Sequence, residues 1–200
     1  MKLGLLVRHG ESDINVKGTL SDEIDNNKLT EKGKKQVEHT AREISGIKFD
    51  RIVSSPIGRT RETAKILADY LGIEVLIDDR LREIGLGKAN GRKIDEFRNT
   101  LYSGHISGKI RETLEMERWD HLVLRVTEAI SAYEGKTIFV SHSDPIRAAI
   151  SYCLDMGESE TYGISLKNAS FTAMEIENKK LYCIGSVEMT EKLMKYLQEK

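Results

Sequence analysis

Residues 3–12 read Leu3-Gly4-Leu5-Leu6-Val7-Arg8-His9-Gly10-Glu11-Ser12, and they indicate the fold class. Its first half is an apolar run, typical of a short buried strand, and its second half is a cluster of charged and polar residues. The same order of apolar run and polar cluster, followed by a helical pattern, recurs along the chain. This alternation predicts βα units and a largely parallel sheet.

The whole pattern predicts one three-layer α/β/α sandwich over residues 1–200, with a mostly parallel sheet of roughly six strands. Residues 12–28 are polar and predict a loop. Residues 80–121 are the least regular segment and predict a cap of loops and short helices, at about residues 85–120, over one end of the sheet. The predicted strands cover residues 3–7, 49–53, 73–77 and 137–140, and a hairpin of residues 171–176 and 181–184 adds an antiparallel edge. The predicted helices begin at Thr30 and at Ser55-Pro56 and cover residues 119–133, 145–154 and 187–200.

The composition carries no strong charge bias. The chain has 31 Lys and Arg against 32 Asp and Glu, for a net charge of −1, so no overall field favours nucleic acid or an anionic membrane. No apolar run approaches transmembrane length, and we expect a cytoplasmic protein. Cys153 and Cys183 are predicted to be reduced core thiols. No cluster has the spacing of metal ligands, so we expect neither a metal nor another cofactor.

Three polar clusters come directly after predicted strands. Because the carboxyl ends of parallel strands meet at one edge of a sheet, residues distant in sequence are expected to lie close together there. Two histidines and two arginines suit a phosphate, since guanidinium groups bind oxygens in pairs and a neutral imidazole can attack phosphorus. The clusters are Arg8-His9-Gly10-Glu11-Ser12, Ser54-Ser55-Pro56 with Arg59, and Ser141-His142-Ser143-Asp144.

These clusters resemble motifs of the histidine phosphatase superfamily, which includes the cofactor-dependent phosphoglycerate mutases. A single match would be weak, but several in the right order over about 140 residues are specific. The matching motifs are Leu6-Val7-Arg8-His9-Gly10-Glu11-Ser12, Leu29-Thr30-Glu31-Lys32-Gly33 with Gln36, Ser54-Ser55-Pro56-Ile57-Gly58-Arg59-Thr60, Leu81-Arg82-Glu83-Ile84, and Val140-Ser141-His142-Ser143-Asp144-Pro145-Ile146-Arg147.

The resemblance implies a role for each core residue. His9 is implied as the nucleophile that becomes phosphohistidine, and Glu83 as the general acid and base. Arg8, Arg59 and His142 are implied to hold the phosphoryl oxygens. Of the remaining histidines, His105 and His121 lie in the predicted cap, where contact with substrate is possible but a surface position is favoured. Further phosphate contacts are expected from Ser12, Asn15 and Ser143.

The sequence leaves three functions open. The first is a phosphatase that hydrolyses a small phosphorylated metabolite, and the second is a cofactor-dependent phosphoglycerate mutase. The phosphatase is favoured because the mutases usually have a longer insertion where residues 92–118 lie here, although basic residues are present. The third is an inactive module that binds a phosphorylated ligand, and it is disfavoured because His9, Glu83 and His142 are all present.

The oligomeric state is open, with a homodimer as one option. Departures from the family include Ser143-Asp144, where two small residues are common.

Overall fold

A six-stranded sheet organises the computed structural model, which describes residues 2–23, 28–97 and 108–199. The strand order is β3-β2-β4-β1-β5-β6, and β1, β2, β3 and β4 run parallel to one another. The strand β5 pairs antiparallel with both β1 and β6. The mostly parallel sheet and its antiparallel edge confirm the predicted fold class. The strands are β1 (Lys2–Arg8), β2 (Arg51–Ser54), β3 (Val75–Ile77), β4 (Gly135–Ser141), β5 (Phe171–Glu175) and β6 (Lys180–Ser186).

Helices cover both faces of the sheet. The first core contains Leu3, Leu5 and Val7 of β1 together with buried residues of α2, α3 and α8. The second core contains Leu6 with buried residues of α5 and α6. Successive side chains of β1 thus enter opposite cores, which is why the run is apolar without alternation. The helices are α1 (Asp13–Lys17), α2 (Glu31–Ile44), α3 (Gly58–Leu71), α4 (Gly108–Thr113), α5 (Trp119–Ser131), α6 (Ser143–Leu154), α7 (Glu158–Thr161) and α8 (Glu191–Gln198).

The main helix boundaries follow local signals in the sequence. The hydroxyl of Thr30 accepts a hydrogen bond from the Gly33 amide at 3.0 Å and caps α2. The helix α3 ends at Gly72, whose φ of 69° lies in the left-handed region that glycine adopts without strain. The start of α2 confirms the helix predicted to begin at Thr30.

Several bounds differ from the prediction. The helix α3 begins at Gly58 and not at Ser55-Pro56, and α6 begins at Ser143 and not at residue 145. The predicted loop over residues 12–28 contains α1, because the Asn15 side chain accepts from the Ser12 amide and hydroxyl and stabilises a short helix. The terminal helix begins at Glu191, where Thr190 caps it, and not at residue 187. Short 3-10 helices occupy residues 79–81, 87–89 and 94–97 of the irregular segment. Within the described ranges, no helix is long and apolar enough to cross a membrane.

Candidate active site

The carboxyl ends of β1, β2 and β4 surround one cavity of about 340 Å³. His9 follows β1, and His142 follows β4. Arg59 is the second residue of α3, which begins shortly after β2. The His9 and His142 rings lie 5.3 Å apart between centroids, at 60° to each other. Residues about 50 and 130 positions apart in sequence are therefore neighbours in space. Six of the eight residues that the sequence marks for the site line the cavity: Arg8, His9, Asn15, Arg59, Glu83 and Ser143.

The hydrogen bonds of His9 fix which ring nitrogen carries the proton. Its Nδ1 lies 2.7 Å from the Gly10 carbonyl, which can only accept, so Nδ1 carries the proton. Its Nε2 accepts from Nε of Arg59 at 3.1 Å, so Nε2 is the unprotonated nitrogen. Burial, reinforced by the charges of Arg59 and Arg8, holds the pKa of His9 well below its usual value. The ring is therefore a neutral imidazole at pH 7, which is the form that can attack phosphorus.

His142 is held by the same guanidinium and is likewise fully buried. Nη2 of Arg59 donates to its Nδ1 at 3.0 Å, so Nε2 carries the proton and donates to the Ser55 hydroxyl at 2.9 Å. Burial and the charge of Arg59 lower the pKa of His142 well below its usual value. Side chains from all three polar clusters thus join a single hydrogen-bonded network.

Two buried arginine nitrogens have no hydrogen-bond partner among the described residues. They are Nε of Arg8 and Nη1 of Arg59. An unpaired buried donor is costly, so such groups usually mark a site that an anion fills. Both side chains line the cavity beside Nε2 of His9. This end of the cavity is therefore suited to bind a phosphoryl group next to the nucleophilic nitrogen.

Glu83 places a carboxyl group in the same cavity, and it is half-buried there. Its Oε1 accepts from the Ile84 amide at 2.9 Å. Burial, with a further contribution from the negative charge of Asp144, raises the pKa of Glu83 to about 7. Arg59 and Arg8 oppose this rise. A carboxyl group with a pKa near neutrality can both donate and accept a proton at pH 7, as a general acid and base requires.

The loop that carries Glu83 is anchored by Arg125 of α5. This guanidinium donates to the Arg82 carbonyl at 2.9 Å and to the Glu83 carbonyl at 3.1 Å. It also pairs with Glu117, whose carboxylate accepts from the Gly85 amide at 2.9 Å. The ion pair of Arg125 and Glu117 therefore fixes the backbone before and after Glu83.

The motif of residues 29–33 at the start of α2 supports the loop that follows His9. Gly33 packs so closely that a Cβ there would lie 2.0 Å from the Glu11 carbonyl oxygen. The side chain of Glu11 accepts from Thr30 at 2.9 Å and from Lys32 at 2.8 Å, and its amide donates to Gln36 at 3.0 Å. The side chains of this motif therefore hold the loop beside the nucleophile.

The secondary candidates occupy different positions. Ser12 is fully buried and lies outside the cavity lining, with its hydroxyl donating to Asn15 Oδ1 at 3.1 Å. Ser12 therefore helps to cap α1, and the phosphate contact expected of it stays a prediction. The Asn15 oxygen also accepts from Asn168 at 3.2 Å, and Asn15 lines the cavity. His121 is exposed near the start of α5, and His105 lies outside the described residues.

The structure adds residues that the sequence analysis did not assign to the site. Arg111, Asp144, Arg147 and Tyr162 line the cavity. Arg111 is buried and pairs with Glu158 through both Nε and Nη2. Of the other basic residues between 92 and 118, the described side chains of Arg92, Lys93 and Arg118 are exposed, and Arg98 lies outside the described residues. No signal in the sequence distinguishes Arg111 from these neighbours, because its position depends on a partner 47 residues away.

No group of three or more His, Cys, Asp or Glu side chains is arranged to hold a metal ion within the part of the chain that the structure describes.

A family model for the histidine phosphatase superfamily (branch 1) matches residues 5–186. The chain belongs to the histidine phosphatase superfamily. This confirms the resemblance, and it makes the chain an enzyme of the histidine phosphatase or phosphoglycerate mutase type. The small phosphorylated substrate expected from the sequence fits this superfamily.

Three relatives illustrate the range of the superfamily. A 2,3-bisphosphoglycerate-dependent phosphoglycerate mutase of Thermoplasma acidophilum is 60% identical over 98% of both chains. A probable phosphoglycerate mutase GpmB of Enterobacter sp. (strain 638) is 29% identical over 91% of this chain and 88% of the relative. Among solved structures, Bacillus stearothermophilus YhfR matches with a TM-score of 0.80 and 24% identity, over 95% of this chain and 98% of that one.

Proposed function

We propose that this chain is a 2,3-bisphosphoglycerate-dependent phosphoglycerate mutase, which interconverts 2- and 3-phosphoglycerate. The observation that carries the choice is the 60% identity to the Thermoplasma acidophilum mutase over 98% of both chains. The sequence analysis prefers a phosphatase because residues 92–118 form a short segment. The Thermoplasma acidophilum relative, which matches over 98% of both chains, is named a mutase. A short segment at residues 92–118 therefore does not exclude a mutase, and the preference for a phosphatase is corrected.

The reaction follows from the geometry of His9. Nε2 attacks phosphorus in line, so that a nitrogen–phosphorus bond forms while the bond to the ester oxygen breaks. Glu83 gives its proton to the departing oxygen and becomes a carboxylate. Arg8, Arg59 and His142 balance the charge that develops on the phosphoryl oxygens. In the second half, Glu83 takes the proton of an incoming hydroxyl, which attacks phosphorus and frees His9.

The rest of the substrate faces the cap. We propose that the described part of the cap, residues 85–97 and 108–120, within a single domain, covers the cavity and binds the end of the substrate away from His9. Arg111 and Arg147 line this part of the cavity, where they pair with Glu158 and Asp144. We propose that a carboxylate or second phosphate of the substrate competes with these carboxylates for the two guanidinium groups. A fixed second anion site distinguishes a mutase from a general phosphatase, because the substrate must return in either of two orientations.

The residues present fit the bisphosphate that a mutase of this kind uses. The unpaired nitrogens of Arg8 and Arg59 suit one phosphate, and Arg111 and Arg147 suit the remaining anionic groups. When bound, 2,3-bisphosphoglycerate supplies the phosphoryl group that first loads His9.

A phosphomonoesterase is the second candidate, and one feature of the cavity favours it. The outer wall is apolar, whereas phosphoglycerate has no apolar part. A cavity of about 340 Å³ has room for a larger leaving group. The apolar side chains are Ile14, Leu20, Leu86, Ala89, Ile94, Phe97, Leu114, Met116 and Leu166.

Phosphorus NMR of 3-phosphoglycerate mixed with the protein separates the two candidates. The mutase predicts conversion to 2-phosphoglycerate that depends on a catalytic amount of 2,3-bisphosphoglycerate and is lost in His9→Ala. Release of inorganic phosphate without isomerisation, both with and without the bisphosphate, would contradict the mutase and support the phosphomonoesterase.

A further inference from the structure

Asp144 is a charged residue that the proposed mechanism does not use. It is the second residue of α6, two positions after His142, where the family commonly has a small residue. The side chain is half-buried, lines the catalytic cavity and accepts from Nη1 of Arg147 at 2.9 Å. Nε of Arg147 donates in turn to the Ile164 carbonyl at 3.1 Å. The carboxylate is thus tethered inside a cavity that otherwise attracts anions.

Glu83 and Asp144 are two carboxyl groups that share one enclosed site. Glu83 is anchored through the Ile84 amide and through Arg125 on its own carbonyl. Neither group can swing into bulk solvent without breaking these contacts. Two negative charges confined in this way repel each other, so one of the two groups tends to keep its proton.

Arg8 and Arg59, which are proposed to bind phosphate, favour the loss of the Glu83 proton, so a nearby negative charge is needed to keep that proton in place. Arg8, at the end of β1, and Arg59, on α3, line the same cavity as Glu83, and their positive charges act to lower its pKa. Both are required to bind a phosphoryl group, yet both favour the ionised form of Glu83, which cannot act as an acid. Asp144, from α6, acts in the opposite direction. The nearby rings of His9 and His142 are neutral and contribute no full charge. Burial of Glu83 is the largest influence, and Asp144 is the largest charge acting in the same direction.

We propose that Asp144 is a positioning residue that keeps the proton on Glu83 while Arg8 and Arg59 prepare the cavity for phosphate. Arg147 holds Asp144 in place, and its positive charge reduces the effect of the Asp144 carboxylate on Glu83. This inference rests on the proposed role of Glu83 as proton donor.

The direct test is a carbon-13 NMR titration of the full chain, labelled at the glutamate side-chain carboxyl. The resonance that disappears in Glu83→Gln identifies Glu83. In the native protein its midpoint is expected near pH 7. In Asp144→Asn, which keeps the shape and removes the charge, the midpoint falls by about one pH unit. The matched control is Asp155→Asn at the other end of the same helix, where the side chain is exposed, and it leaves the midpoint unchanged.

A second variant decides the question if Asp144→Asn does not fold. Arg147→Met retains Asp144 and removes the cation that moderates it, so the Glu83 midpoint rises. An unmoved midpoint in Asp144→Asn, or a lower or unmoved one in Arg147→Met, overturns the proposal.

Kinetics separate this inference from the proposed function. Phosphorylation of His9 by an alkyl phosphate declines at high pH. If Asp144 acts through Glu83, the midpoint of this decline is lower in Asp144→Asn by the same amount as the NMR midpoint. Asp144→Glu restores the native midpoint. Native protein that fails to isomerise phosphoglycerate contradicts the mutase but leaves the NMR result standing. Native protein that isomerises phosphoglycerate, with an Asp144→Asn midpoint that does not move, contradicts this inference alone.

Discussion

Nε of Arg59 lies 3.1 Å from Nε2 of His9, and Nη2 of the same guanidinium lies 3.0 Å from Nδ1 of His142. One planar group therefore orients both imidazoles and fixes the protonated nitrogen of each. The remaining nitrogen, Nη1, has no partner among the described residues and adjoins the site proposed for phosphate. This arrangement depends on the fork geometry of arginine as well as on its charge.

Replacement of Arg59 by Lys retains the positive charge but loses the fork. An ammonium group cannot donate to both rings from fixed directions, so we expect single-turnover phosphorylation to fall by about 10²- to 10³-fold with the fold intact. Rapid-quench measurement of the phosphoenzyme tests this. Arg61→Lys, an exposed position in the same helix, is the matched control and keeps the native rate. A rate for Arg59→Lys within a few-fold of native would show that charge alone suffices.

Replacement of Glu83 by Gln separates substrates by their leaving group. An alkyl alcohol leaves as a strong base and needs a proton, whereas a nitrophenol hardly does. We expect a loss of about 10²- to 10⁴-fold in single-turnover phosphorylation by an alkyl phosphate, and little loss with an aryl phosphate. Equal losses with both substrates would mean that another group is the acid.

The pH dependence of phosphorylation follows from two shifted groups. The pKa of Glu83 is raised to about 7, so the acid form is present below that pH and is lost above it. The pKa of His9 lies well below its usual value, so the nucleophile remains neutral throughout. Dividing the native rate by the Glu83→Gln rate removes the effect of the phosphate's own titration. We expect this ratio to be flat from about pH 5 to pH 6 and to decline above about pH 7. A decline centred near pH 4.5 would show that Glu83 titrates as an ordinary carboxyl group.

Replacement of Gly33 by Ala tests the packing of α2 against the catalytic loop. The added Cβ would lie 2.0 Å from the Glu11 oxygen, so the loop that follows His9 must shift. We expect the free energy of unfolding to fall by about 1–3 kcal/mol, together with a loss of activity. Thermal unfolding and a mutase assay measure both. Gly163→Ala, where a Cβ meets nothing within 4 Å, serves as the control. Native stability in Gly33→Ala would contradict the close approach.

The sequence predicts the sheet and the placement of His9, Arg59 and His142 because these features depend on local patterns. Each lies at a strand end or helix start that periodicity alone identifies. The position of Arg111 could not be predicted, because it depends on an ion pair with Glu158 that forms only in the folded chain. The helix α1 was not predicted because its apolar pattern is too short, and only the Ser12 and Asn15 contacts mark it.

The motifs of the sequence do not determine whether the substrate is hydrolysed or isomerised. The phosphohistidine chemistry is common to phosphatases and mutases, so Arg8, His9 and Glu83 do not distinguish them. We expect the distinction to depend on the outer cavity, where Arg111 and Tyr162 come from segments that none of the family motifs covers.

The central claim is that His9 carries the phosphoryl group on Nε2. Incubation of the native protein with 2,3-bisphosphoglycerate, an alkaline quench and peptide mass spectrometry test it most directly. We predict one phosphoryl group on the peptide that contains His9. It is acid-labile, and we expect phosphorus NMR to assign it to Nε2, because Nδ1 carries the proton that it donates to the Gly10 carbonyl. It is absent from His9→Ala and unaffected by a metal chelator. Phosphate on another residue, or equal labelling of His9→Ala, would contradict the account.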